Sequence, residues 1–139
     1  MTTLGPIEAP AVQRGAPASA LGLLAHARRV LTEAEAATDA GERFRLAHLS
    51  ALRTAAAVSA QRGRPASARK RLMNVWVLLE RVAPEHASWA AYFAAGATVR
   101  AAIEAGAVSA VTPRAADDQL RAAAEFLALV EGSLNLLAA

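Results

Sequence analysis

Apolar and polar positions recur at the period of a helix through most of this chain. The clearest case lies between Gly41 and Gly63, where Phe44, His48, Ala51, Ala55 and Val58 share one face. Leu49, Leu52 and Ala56 form a second stripe beside it. A helix apolar on two sides needs cover on two sides, so this stretch is predicted to sit inside a bundle. Its ends are marked as well. Asp39 and Glu42 have the spacing of a capping box, in which each side chain satisfies a backbone N–H of the first turn. Gly63 stands where a closing residue with positive φ is wanted.

Four further helices follow from the same reasoning. Residues 1–18 hold Gly5, Pro6, Pro10, Gly15 and Pro17 without a stripe, and read as a disordered tail. From Ala20 to Thr38, capped by Ser19, Leu21, Leu24, Ala27, Leu31 and Ala34 form an inward face. Residues 62–71 read RGRPASARKR, an exposed basic loop. Asn74 caps a short helix whose Trp76, Leu79 and Val82 or Ala83 face inward. Pro84 starts a fourth helix running to about Ala105, with Trp89, Tyr92 or Phe93, Gly96, Val99 and Ile103 inward and Gly106 closing it. Gly96 in mid-helix suggests a close crossing with another backbone. Thr112 and Pro113 open the last helix, whose inward face is Leu120, Ala123, Leu127, Val130 and Leu134. No stretch alternates with the period of a strand. The expected fold is all-α, an up-and-down bundle of about five helices over residues 19–136, with Phe44, His48, Trp76, Trp89, Phe93 and Leu127 in the core.

Composition sharpens this picture. Hydrophobic residues make up 55% of the 139 positions and aromatics only 4%, so alanine supplies much of the apolar surface and helices are expected to approach closely. All but Lys70 of the 15 basic residues are arginine, and the formal net charge is +3. There is no cysteine, which excludes disulfides, cysteine zinc sites and a thiol nucleophile. No His cluster suggests a metal, no glycine-rich loop suggests a nucleotide phosphate, and no cofactor is expected. No apolar run is long enough to span a membrane and no signal peptide is recognisable, so a cytoplasmic location is expected. A mean hydropathy of +0.26 points to a buried subunit interface, hence a homodimer.

In order and length, these helices resemble the HEPN superfamily (higher eukaryotes and prokaryotes nucleotide-binding), and within it a small actinobacterial subfamily. The segments that carry the resemblance are LLAHARRVLTEAEAA, ERFRLAHLSALRTAAAV, VWVLLERVAPE with WAAYFAAGA, and ADDQLRAAAEFLALVEGSL, together spanning about Ser19 to Leu136. It implies a helical bundle that acts either as a metal-independent ribonuclease of toxin or defence type, or as an inactive module that dimerises and binds RNA or protein.

In such ribonucleases an Arg is followed, four to six residues later, by a His that moves a proton on the RNA, while the Arg stabilises phosphate charge. Two pairs here have four residues between them, Arg43 with His48 and Arg81 with His86. A chain this rich in Arg is expected to show about one such match by chance. The resemblance places the catalytic pair near the junction of the third and fourth helices, which favours Arg81 and His86. Against it, Val82 follows the Arg and Pro84 interrupts the spacer, and the favoured reading is that Arg81 ends the third helix, where a cation suits the dipole, and His86 is an exposed first-turn residue. His48 lies on the inward stripe of its helix and is expected to be packed and hydrogen-bonded, and His26 to be partly exposed. Arg62, Arg64, Arg69, Lys70 and Arg71 form a candidate phosphate-contacting loop, with Trp76 nearby as a base-stacking ring or a core residue. Asp117 and Asp118 diverge on a helix and suit a helix start better than a metal. The reading is a non-catalytic, dimerising interaction module that touches RNA or a protein partner; the alternative is a ribonuclease using Arg81 and His86.

Overall fold

The computed structural model describes residues 18–63, 74–107 and 109–138. The expected tail up to residue 17 lies outside them, as do Arg64, Arg69, Lys70 and Arg71 of the basic loop. The described residues form five α-helices and no strand: α1 Ala18–Ala36, α2 Ala40–Arg62, α3 Val75–Val82, α4 Ala87–Glu104 and α5 Pro113–Ala138. A 3-10 turn, Pro84–His86, joins α3 to α4. The fourth helix was expected to begin at Pro84. Instead the proline leads a separate turn, because the ring forbids helical geometry at Ala83, which sits at φ −143 and ψ 72.

Helix α2 touches each of the other four helices. Phe44, His48, Ala51, Ala55 and Val58 are all buried, with Ala47, Ser50, Thr54 and Ser59 filling the neighbouring faces. The dominance of small residues has a direct consequence. The Ser50 hydroxyl reaches across to the Ala27 carbonyl of α1 at 2.8 Å, which requires the two helices to lie close. On α1, Leu24, Ala27, Leu31 and Ala34 are buried as expected, but Leu21 is 51% exposed, and Ser19 lies inside the helix instead of capping it. On α5 the buried line is Ala116, Gln119, Ala123, Phe126 and Val130, with Leu127 and Leu134 also buried and Leu120 partly so.

The remaining helix ends follow the sequence signals, except that the capping box of α2 forms only in part. The Asp39 carboxylate accepts from the Glu42 N–H at 2.9 Å, but Glu42 does not reach back; its carboxylate is held by Arg45 at 2.8 Å. Only half of the capping box forms. Asn74 caps α3 through the Trp76 N–H, Thr112 caps α5 through the Ala115 N–H, and Gly63 and Gly106 take positive φ values of 80° and 95°.

The core is organised by rings. Phe93 of α4 is stacked with Trp76 and Trp89, and Phe126 with Trp89, at centroid separations of 5.5 to 6.0 Å. Gly96 was expected to mark a backbone crossing. What it meets is a side chain: a Cβ there would lie 3.2 Å from Cδ2 of His48 and 3.4 Å from the Gln119 amide nitrogen. His48 is confined by Phe44, Trp76 and Phe93 and cannot yield. Gly96→Ala is therefore expected to destabilise, although in an open helix the same change gains about 1 kcal/mol. Gly132, inside α5 with no atom near its missing Cβ, is the control: Gly132→Ala is expected to stabilise by about 0.5–1 kcal/mol. Urea denaturation midpoints of the two variants should move in opposite directions.

Candidate functional site

His48 is fully buried. Its Nε2 lies 2.8 Å from the Phe93 carbonyl oxygen, which can only accept, so the proton is on Nε2 and Nδ1 carries the lone pair. That Nδ1 has no partner, and neither has the buried Gln119 amide nitrogen on the far side of Gly96. Burial lowers the His48 pKa; the Phe93 carbonyl opposes this, the Arg100 charge lowers it further and the Glu104 charge raises it. A neutral imidazole wedged between helices, with its proton committed to a main-chain carbonyl, is a packing device. Arg43, its partner in the sequence motif, bonds the Ala37 carbonyl at 2.8 Å and Asp117 at 2.6 Å, clamping the α1–α2 link onto the start of α5.

The second motif pair is separated by its surroundings. Arg81 is exposed at the end of α3. His86 was expected to be exposed; it is only 7% exposed, because the 3-10 turn folds its ring edge-on against Phe126 at 5.6 Å. Burial lowers its pKa, and the charges that bear on it are Glu85 and Arg62, not Arg81. Arg62 belongs to the candidate basic loop, but its guanidinium donates to the Val82 carbonyl at 3.1 Å and pairs with Glu85. This pairing draws the Glu85 carboxyl down to about 2. Arg62 thus closes the end of α2 onto the α3–α4 junction.

The one arginine in hydrogen-bond contact with a histidine among the described residues is Arg53, whose Nε donates to His26 Nδ1 at 3.2 Å between α2 and α1. The spacing motif could not find it, since the residues are 27 apart in sequence. Asp118 is bonded to Arg121 at 3.0 Å and faces Arg114 at 3.7 Å. Among the described residues no group of three or more His, Asp or Glu is placed to hold a metal, and no helix is long and apolar enough to cross a membrane.

Each flank of α4 carries a surface feature. On one flank Ala91, Ala94, Thr98, Ala101 and Ala105 are all exposed and recur at steps of three and four, beside Val77 of α3 at 46% exposure. On the other, α4 and α5 are held apart by their rings. The cleft between them, of about 460 Å³, is lined by Trp89, Tyr92, Asp118, Arg121 and Glu125 among others.

The two buried imidazoles set a pH dependence. Both folded pKa values are lowered, so below about 6.5 the unfolded chain binds more protons than the folded one. Stability is expected to be flat above pH 7 and to fall as pH drops from about 6.5 toward 5, above the range where carboxylates titrate. Urea midpoints across that window check this, and His86→Gln should make the fall shallower.

Neither the curated proteins nor the solved structures compared with this chain give a match. A protein-family model of HEPN type matches residues 34–131, from the end of α1 through most of α5, and so takes in the Gly96 crossing and both histidines of α2 and the 3-10 turn. The chain belongs to the HEPN family.

Proposed function

We propose that this HEPN protein is a non-catalytic interaction module that forms a homodimer through α4 and contacts RNA through its basic loop. The burial of His48 and His86 carries the non-catalytic part. A general base must reach the proton it removes, and these two rings face Phe93, Phe126 and Trp76 instead. Each is also parted from the arginine that precedes it: Arg43 is spent on Ala37 and Asp117, and Arg81 lies in solvent.

The exposed line Ala91, Ala94, Thr98, Ala101 and Ala105 supports the dimer. Small residues at helical spacing let a second helix approach closely, and Val77 with the high alanine content adds apolar area beside them. For RNA, the support is the charge density of Arg64, Arg69, Lys70 and Arg71 in the sequence; Arg62 contributes less, being committed to Glu85.

Light scattering at micromolar concentration should give a dimer mass, and Ala94→Arg, on the exposed stripe, should give a folded monomer. A monomeric wild type removes the dimer. RNA binding by filter assay should weaken steeply with salt and should lose affinity when Arg69, Lys70 and Arg71 are replaced by Gln. Incubation with single-stranded RNA in the presence of a chelator should leave it intact; cleavage lost on Arg81→Ala or His86→Gln would establish the ribonuclease in place of the binding module.

A further inference from the structure

The cleft between α4 and α5 is occupied neither by the alanine stripe nor by the buried histidines. It exists because the two helices make little backbone contact and are bridged by Trp89 stacked on Phe126. A second space of about 290 Å³ adjoins it, sharing Tyr92 and Asp118 and lined also by Gly96 and Gln119. The absence of a side chain at Gly96 helps to keep that space open.

The chemistry of the walls is uneven. Tyr92 is 43% exposed and Trp89 half-buried, so aromatic surface is presented to the cleft. Two carboxylates line it, Asp118 and Glu125, against one guanidinium, Arg121. The Arg121 guanidinium is tied to Asp118, whereas Glu125 makes no ion pair among the described residues. An anion entering here would have to break the Arg121 bond beside an unpaired carboxylate. A cation would meet that carboxylate together with aromatic rings, the pairing that favours guanidinium and ammonium groups. Gln119 adds a second requirement: it is 3% exposed, and its amide nitrogen is a buried donor without an acceptor. A carbonyl oxygen supplied by the occupant would satisfy it.

We infer that this cleft binds a basic peptide segment, with an arginine or lysine side chain beside Glu125, Trp89 and Tyr92 and a main-chain carbonyl directed at Gln119. A peptide carries the cation and the carbonyl in one molecule, which a free amine does not. Tyr92 and Gln119 line the same adjoining space, which gives the peptide carbonyl its approach.

The test uses the full chain and four probes: acetyl-Gly-Arg-Gly-amide, the same peptide with citrulline in place of arginine, spermidine, and acetyl-Gly-Glu-Gly-amide. Binding is followed by amide chemical shifts and by fluorescence of Trp89, one of two tryptophans, the other being buried in the core. The arginine peptide should shift residues of α4 and α5 around Tyr92 and Glu125. Glu125→Gln and Tyr92→Ala, both exposed positions whose replacement leaves the core intact, should each weaken it about fivefold. The citrulline and glutamate peptides should bind at least that much more weakly. Equal binding of citrulline peptide, or insensitivity to Glu125→Gln, overturns the cation assignment. Spermidine binding as tightly as the arginine peptide overturns the peptide, and no shifts at millimolar concentration overturn the site.

Discussion

One imidazole at one helix crossing sets the packing of this bundle. His48 projects from α2 into the space that Gly96 leaves on α4 and donates a hydrogen bond from Nε2 to the Phe93 carbonyl, three residues earlier on that same helix. A larger residue at position 96 would push α4 away; a charged imidazole would bring an uncompensated cation among Phe44, Trp76 and Phe93. The hydrogen bond and the missing Cβ therefore work as a pair. They fix the height of α4 against α2, and with it the Phe93, Trp89 and Phe126 stack through which α4 meets α5.

The same constraint shapes what the surface can do. Because α4 is pinned by Phe93 and Gly96 along one narrow edge, both its flanks stay open. One carries the small-residue stripe and the other the cleft toward α5. The arginines that an Arg–His motif would draw on are used elsewhere: Arg43 and Arg62 fasten links between helices, binding carbonyls that helix ends leave free as well as carboxylates. Family membership covers the fold and this arrangement of helices; activity is a matter of where side chains end up, and here two imidazoles are turned inward.

Much of the architecture could be read from the chain because helical periodicity and end signals are local. The α2 stripe, the caps at Asn74 and Thr112 and the glycine stops at Gly63 and Gly106 each depend on residues only a few positions apart. What failed was what depends on distant partners. The expected α5 face of Ala123, Leu127, Val130 and Leu134 is buried, with Leu120 partly so, but Ala116, Gln119 and Phe126 are buried beside it, and that second stripe depends on which neighbours α5 meets. Leu21 fits its stripe but is left exposed by the other described helices. His86 was misplaced because a 3-10 turn rotates residues differently from the first turn of an α-helix. The glycine at position 96 was legible as a close approach, but its reason, a ring from α2, was not.

The account is tested most directly by nitrogen NMR of the His48 imidazole as a function of pH. It predicts a neutral ring with the proton on Nε2 and a bare Nδ1, unchanged well below the usual titration range of a histidine, until the protein itself begins to unfold. A ring that titrates freely near pH 6.5 in the folded protein, or one protonated on Nδ1, would mean that His48 is not locked to the Phe93 carbonyl and that the crossing at Gly96 is not what holds the bundle in place.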